Sequence, residues 1–259
     1  MITSAANPQI KETSALVSKH KARRESGLFA AEGIKLYKEA PEELIEKLFV
    51  SESFEKNCSG LLEGREYVSV KDEIFVRMCD TKTPQGIMTV LKQPEHELGE
   101  MFPLDKDPFI VILENVQDPG NIGTIIRTAE GAGVTGVIMT RGCADIFAPK
   151  TIRSTMGSVF RVPFIYTDDI EETVLTLKQK GVRIYAAHLK GTTDFDEPAY
   201  SGGTALCIGN EGNGLTDELT QSCDVLLKIP MEGKLESLNA SAAAAVLMYT
   251  VYRKSDKRI

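Results

Sequence analysis

Apolar and polar positions alternate along this chain in two rhythms, and the change falls near residue 94. Before it the apolar runs are short. Residues 7–26 carry helical spacing, with Ile10, Val17 and more weakly Leu16 on one side and Lys19, Lys21, Arg23 and Arg24 on the other. Residues 28–32, 48–51, 67–70 and 85–91 read as strands, and residues 33–40 as a helix start. Ile74, Phe75 and Met78 mark one face of a short helix. Together these predict a small α/β domain over residues 1–93.

Residues 94–107 are polar, acidic and interrupted by proline, the pattern of a linker. Beyond them, residues 109–113 (Phe-Ile-Val-Ile-Leu) form a continuous apolar run, as expected of a strand buried on both faces of a parallel sheet. Helices are predicted over 121–131, 149–156 and 169–180, the last with Ile170, Val174 and Leu177 in register and Gly181 as its stop. Strands are predicted over 136–139, 162–165, 182–187, 205–208 and 225–229. A final helix begins at Asn239 or Ser241, both good N-caps. From Ala242 to Tyr252 it is apolar nearly all round, so it must be covered by its own domain or by a second subunit. The repeated β/α order predicts a second domain, residues 108–259, built on a parallel sheet.

Composition narrows the classes. Apolar content of 42% and charged content of 26% are those of an ordinary globular protein. The net charge of −7 argues against broad, non-specific nucleic-acid binding. The first 40 residues differ: seven Lys/Arg against four Asp/Glu leave them net positive. That excess is either a solvated helix face or a phosphate-contacting patch. Five scattered cysteines without a CxxC pair predict reduced thiols and no zinc or other metal site. The first residues lack a secretory pattern, and no apolar run reaches membrane-spanning length. A cytoplasmic chain with no membrane partner is expected.

Three stretches can carry chemistry. Residues 115–127 (NVQDPGNIGTIIR) follow the buried strand and open a helix, with Asn121 placed to cap it and Arg127 about two turns on. A dinucleotide fingerprint fails here, because only Gly120 and Gly123 are present and no acid closes the next strand, which excludes a nicotinamide-dependent oxidoreductase. No Gly-Lys-Ser/Thr of a P-loop occurs either. An arginine in so apolar a helix calls for an anionic partner. Residues 208–215 (IGNEGNGL) place three glycines after a strand, where the backbone turns sharply and something approaches closely. Residues 229–241 (IPMEGKLESLNAS) end at the mouth of the last helix, where backbone N–H groups gather.

In this order and spacing the three resemble the signature motifs of the SpoU/TrmH family of RNA ribose 2′-O-methyltransferases. The resemblance runs from Phe109 to about Tyr252 and takes in the 149–157 segment PKTIRSTMG. Residues 7–11, 29–33 and 83–87 resemble the substrate-binding domain of the family's rRNA-modifying branch. No motif position departs from the pattern.

The resemblance implies an α/β fold with a deep trefoil knot, preceded by a small RNA-binding domain like certain ribosomal proteins. It implies S-adenosylmethionine held by Gly209, Asn210, Ile229, Met231 and Leu238, and a homodimer through the last helix. It implies Arg127, Glu211, Asn121, Ser237 and Asn239 at the reacting centre. RNA contacts fall to Lys19, Lys21, Arg23, Arg24 and Arg153. The resemblance also implies that Arg127 acts on the 2′-hydroxyl with help from an RNA phosphate. Since a guanidinium is hardly ever deprotonated, Arg127 is expected to anchor phosphate and stabilise negative oxygen, with the base role left open between it and Glu211, which accepts the proton or holds Arg127. Large-subunit rRNA is the expected substrate. Transfer RNA, or a non-catalytic ribosome-assembly role, is the alternative.

Overall fold

The computed structural model describes residues 1–255; the last four residues of the predicted second domain lie outside the described residues. In chain order the elements are α1 (Pro8–Ser18), α2 (His20–Ser26), β1 (Leu28–Glu32), α3 (Ile34–Glu39), β2 (Ile45–Ser51), α4 (Glu52–Asn57), β3 (Val68–Val70), α5 (Asp72–Met78) and β4 (Ile87–Lys92). They continue with β5 (Phe109–Leu113), α6 (Pro119–Gly131), β6 (Gly136–Thr140), α7 (Pro149–Thr155), β7 (Phe164–Thr167), α8 (Ile170–Gln179) and β8 (Arg183–Ala187). Then come β9 (Thr193–Asp194), β10 (Thr204–Ile208), α9 (Asp217–Ser222), β11 (Val225–Lys228) and α10 (Ala240–Lys254).

The chain forms two compact units, residues 1–94 with 145–160, and residues 95–144 with 161–259. In the first, β4 pairs antiparallel with β1 and β2, and β3 runs parallel to β2. Ile10, Leu16, Phe49, Phe75, Met78 and Met88 pack its core. The single helix predicted over 7–26 is two, because Lys19 is extended (φ −128°, ψ 116°). The carbonyls of Leu16 and Val17, left open at the end of α1, are taken by Nη1 of Arg23 at 2.6 and 3.3 Å.

Arg23 therefore does not belong to the exposed basic face on which the sequence places it. It is 5% exposed, and its Nε and Nη2 meet Asp145 Oδ2 at 2.8 and 2.7 Å. Burial of a charge requires such pairing. Lys19, Lys21 and Arg24 are exposed, with Lys21 3.6 Å from Glu25.

Asp145 belongs to a segment that the linear boundaries assign to the second domain. Between β6 and β7 the chain packs residues 145–160 into the first unit. Phe147 and Phe160 stack on Phe29, with ring centroids 4.9 and 6.4 Å apart. Arg153 reaches Asp80 at 2.6 Å.

The second unit is a seven-stranded, wholly parallel sheet in the order β7-β6-β5-β10-β8-β11-β9. Its central strands β5 and β10 are buried at every position. From β5 the sheet grows to β6 and β7 on one side and to β10, β8 and β11 on the other. The crevice at the carboxyl ends of β5 and β10 is thus a switch point, the usual place for a ligand.

The stretch 95–107 is no tether. Leu98–Met101 makes a 3₁₀ turn closed by a Glu97–Glu100 capping box. Met101 is fully buried, its side chain filling the space where a Cβ on Gly136 would stand. Strand β7 starts two residues later than predicted, since Pro163 has no N–H to donate to a ladder.

Helix α10 is covered on one face only. Ala240, Ala244, Leu247, Met248 and Val251 are buried, and the helix packs against α6 and β10. Val246, Tyr249 and Tyr252 remain 36–47% exposed.

Candidate active site

The loop after β5 begins with Glu114, buried and aimed at the neighbouring loop. Its carboxylate accepts the backbone N–H and hydroxyl of Thr216, both at 2.7 Å. Thr216 in turn caps α9, accepting from the Leu219 N–H. Asn115 follows in the left-handed region (φ 54°), a conformation that Asn tolerates better than most residues. Its carbonyl accepts from Asn210 Nδ2 at 2.8 Å.

Helix α6 starts earlier than predicted. Asp118 is its cap, accepting from the Asn121 N–H at 2.9 Å, and Pro119 takes the first helical position, where its missing N–H costs nothing. Asn121 is buried within the first turn, and its Nδ2 donates to Glu211 at 2.8 Å.

The loop after β10 is folded on itself. Asn210 and Gly214 exchange two backbone hydrogen bonds of 2.9 Å, and Asn210 Oδ1 accepts from the N–H groups of Gly212 and Asn213. The close neighbour inferred at Gly209 is this loop itself. A Cβ there would lie 2.3 Å from the carbonyl carbon of Gly214.

Glu211 accepts from the Gln117 and Asp118 N–H groups, each at 3.2 Å, as well as from Asn121. Glu114 and Glu211 thus staple the two loops in opposite directions. Partial desolvation works against the Glu211 carboxylate, but hydrogen bonds from Asn121 and the backbone outweigh it and hold its pKa below the usual range. A carboxylate so satisfied is a weak base and a good brace. Because the folded pKa is depressed, this brace is present above the unfolded carboxyl pKa and is lost as pH falls through the folded value.

A cleft of about 790 Å³ opens beside this brace. Gly209, Asn210, Ile229, Met231 and Leu238 line it, together with Glu211 and Ser237. Ser237 is exposed there, with no hydrogen-bond partner among the described residues. Sequence reasoning missed His188, Lys190, Asp217 and Glu236, which also line the cleft. Their one available signal was position, since His188 and Lys190 directly follow β8 at the carboxyl edge of the sheet. Glu114 was legible in the same way, as an acid closing an apolar strand.

Asn121, Asn239 and Arg127 do not line the cleft. Asn239 caps α10, its Oδ1 accepting from the N–H groups of Ser241 and Ala242 and from the Ser241 hydroxyl. Arg127, expected to be buried against an anion, is exposed on α6 and has no hydrogen bond or ion pair among the described residues. The apolar positions around it, Ile125, Ile126 and Ala129, face inward and leave it on the outer side. Arg23 and Arg153, read as RNA contacts, are engaged with Asp145 and Asp80 inside the first unit.

The cleft suits S-adenosylmethionine. Its volume lies within the ~300–1,000 Å³ of small-molecule sites. Ile229, Leu227, Met231 and Leu238 provide apolar walls for a base, and Glu211, Asp217 and Glu236 provide negative charge for a cation. Among the described residues, no three His, Cys, Asp or Glu side chains gather as a metal site. No described helix is long and apolar enough to cross a membrane.

If Glu211 is the brace between the loops, Glu211→Ala lowers methyl transfer on the order of 100-fold through misplacement alone. Stability measured by urea unfolding should fall by about 1–3 kcal/mol, the cost of leaving the buried Asn121 amide without its acceptor.

The fold and the cleft define a class, and comparison with known proteins agrees with it. Residues 108–249 match the SpoU rRNA Methylase family, and residues 7–89 match the MRM3-like substrate binding domain. The chain belongs to the SpoU rRNA methylase family. It is 34% identical over 250 residues, 96% of its length and 97% of the relative's, to the 23S rRNA (guanosine(2553)-2′-O)-methyltransferase RlmP of Bacillus subtilis. The AdoMet-bound rRNA methyltransferase of Sinorhizobium meliloti superposes with a TM-score of 0.85 at 32% identity, covering 97% of each chain. The SpoU methyltransferase AviRb of Streptomyces viridochromogenes, in complex with AdoMet, gives 0.87 at 27% identity, covering 95% of this chain and 97% of its own.

Proposed function

We propose that this chain transfers a methyl group from S-adenosylmethionine to a ribose 2′-hydroxyl of 23S ribosomal RNA, in the cytoplasm. One observation carries the reading: similarity to RlmP extends over both units, with the cleft lying at the carboxyl ends of β8, β10 and β11. The same extent favours ribosomal over transfer RNA, because residues 7–89 match a substrate binding domain. The trefoil knot implied by the motifs is part of the proposal.

Bound in the cleft, S-adenosylmethionine supplies an electrophilic methyl on a sulfonium. Ile229, Met231 and Leu238 hold its apolar part, and the backbone at Gly209 and Asn210 lies along it. The ribose hydroxyl is a poor nucleophile until its proton is shared and its oxygen is aimed in line. Ser237, unpartnered in the cleft, orients it. Glu211, already satisfied by three donors, holds the loops instead of taking the proton, which passes to an RNA phosphate or to water. Arg127 anchors that phosphate and stabilises the developing oxyanion. Lys19, Lys21 and Arg24 add phosphate contacts in the first unit.

The open face of α10 supports a homodimer. Val246, Tyr249 and Tyr252 form an apolar strip that a second copy would cover. Helix α6 packs on α10, so such a dimer carries Arg127 to the same interface. This is how an arginine outside its own cleft reaches the reacting centre.

Calorimetry and sedimentation on one sample test the reading. The expected result is one S-adenosylhomocysteine site per chain in a dimer, with Tyr249→Glu shifting the protein to monomer. A stable monomer that binds NADH and not S-adenosylhomocysteine overturns it.

A further inference from the structure

Two cysteines that the sequence separates by fifteen residues meet beneath the cleft. The Sγ atoms of Cys207, in β10, and Cys223, just past α9, lie 3.9 Å apart. Cys207 is fully buried and Cys223 is partly exposed. The other three cysteines have no such thiol neighbour among the described residues.

The pair occupies a sensitive position. Cys207 lies two residues before Gly209, and between the two thiols runs the loop from Gly209 to Leu215 that forms one wall of the cleft. Leu215 and Leu219 pack in the same core cluster as Cys207, with Cys223 against it, and Leu215 itself lines the cleft. A change in the sulfur separation is passed to that wall through contacts already in place.

We propose that Cys207 and Cys223 are a dithiol site for peroxide-class oxidants, closing to a disulfide that clamps the cleft wall and weakens cofactor binding. The cofactor part of this rests on the methyltransferase reading; the disulfide part does not.

The chemistry balances with hydrogen peroxide as the oxidant. The partly exposed Cys223, as thiolate, attacks one peroxide oxygen, the O–O bond breaks, and Cys223 becomes a sulfenic acid; the departing hydroxide takes up the proton that Cys223 lost on ionising and leaves as water. The Cys207 sulfur then attacks the Cys223 sulfur, the S–O bond breaks, and the second oxygen leaves as water with the thiol proton. Two thiols and one peroxide give one disulfide and two waters.

Cys223 is the thiol suited to begin. Its contact with Cys207 and the nearby Lys178 ammonium lower its pKa, whereas that contact and full burial raise the pKa of Cys207. Closing the bond brings the sulfurs to about 2.05 Å. Part of that closure falls on the carboxyl end of α9, a six-residue helix whose other end is held by Thr216 and Glu114. The movement is therefore transmitted to the stapled loop.

The test uses the full chain, reduced and then treated with hydrogen peroxide, denatured, alkylated and weighed. The expected result is loss of two hydrogens and three alkylated thiols instead of five, with the linked peptides carrying Cys207 and Cys223. Five alkylated thiols, or a link elsewhere, overturn the proposal. Cys223→Ser should abolish the link, and persistence of the mass change in that variant also overturns it. Oxidised wild type should bind S-adenosylhomocysteine about tenfold more weakly than reduced, and Cys223→Ser should show no such difference. Equal affinity in both states overturns the clamp. Absence of binding by the reduced chain counts against the methyltransferase reading instead, and leaves the mass result to decide the dithiol.

Discussion

Arg127→Ala lowers methyl transfer by at least about 10²–10³-fold, the usual loss when one stabilising donor is removed from a developing oxyanion. Its fold and cofactor affinity stay close to wild type. Both halves of this expectation come from the position of the side chain. Arg127 is exposed on α6, bonds to no described residue and does not line the cleft. Truncating such a side chain removes no packing and leaves no buried group unpaired, so stability should move by no more than about 0.5 kcal/mol. Single-turnover transfer, alongside S-adenosylhomocysteine calorimetry and thermal unfolding, checks it. An active variant would assign the arginine to the surface. An unfolded one would show that α6 depends on it.

Arg23→Ala, in contrast, is expected to destabilise the chain by about 3–5 kcal/mol, the cost of breaking a buried ion pair from one side. The substitution strands Asp145, and it uncovers the Leu16 and Val17 carbonyls that end α1. Its neighbour Arg24 is exposed, and Arg24→Ala should leave stability within about 0.5 kcal/mol. Urea midpoints of the two variants separate the roles. Replacing the pair together, as Arg23→Met with Asp145→Leu, should recover the part of the loss that comes from the stranded charge and leave the part that comes from the open Leu16 and Val17 carbonyls. Equal midpoints for Arg23→Ala and wild type would return Arg23 to the solvated face.

Those two arginines show where the sequence was legible and where it was not. Local pattern carried the elements well. The run 109–113 became a strand buried throughout, and the 169–180 spacing became α8 with Asp169 as its cap. The motif loops could be read because glycines and short polar residues after strands leave a strong mark, and the cleft gathers Gly209, Ile229 and Leu238 from separate stretches. What stayed hidden depends on tertiary pairing. Nothing near Arg23 announces Asp145, 122 residues away. Nothing in residues 145–160 marks them as part of the first unit, because their aromatic partner, Phe29, is equally remote. The linker failed as a reading because one buried side chain, Met101, anchors an otherwise polar stretch. Arg127 failed in the other direction. An arginine among Ile125, Ile126 and Ala129 suggests burial, yet the helical phase turns it outward.

The most direct measurement is transfer of labelled methyl from S-adenosylmethionine to unmodified 23S rRNA, followed by alkaline hydrolysis. A 2′-O-methyl ribose blocks cleavage at its own phosphodiester, because the neighbouring hydroxyl can no longer attack. The expected result is label in a single alkali-resistant dinucleotide from 23S rRNA, absent with Arg127→Ala and absent from transfer RNA. Label in alkali-sensitive mononucleotides, or no transfer by a chain that binds S-adenosylhomocysteine, would contradict the assignment of ribose methylation.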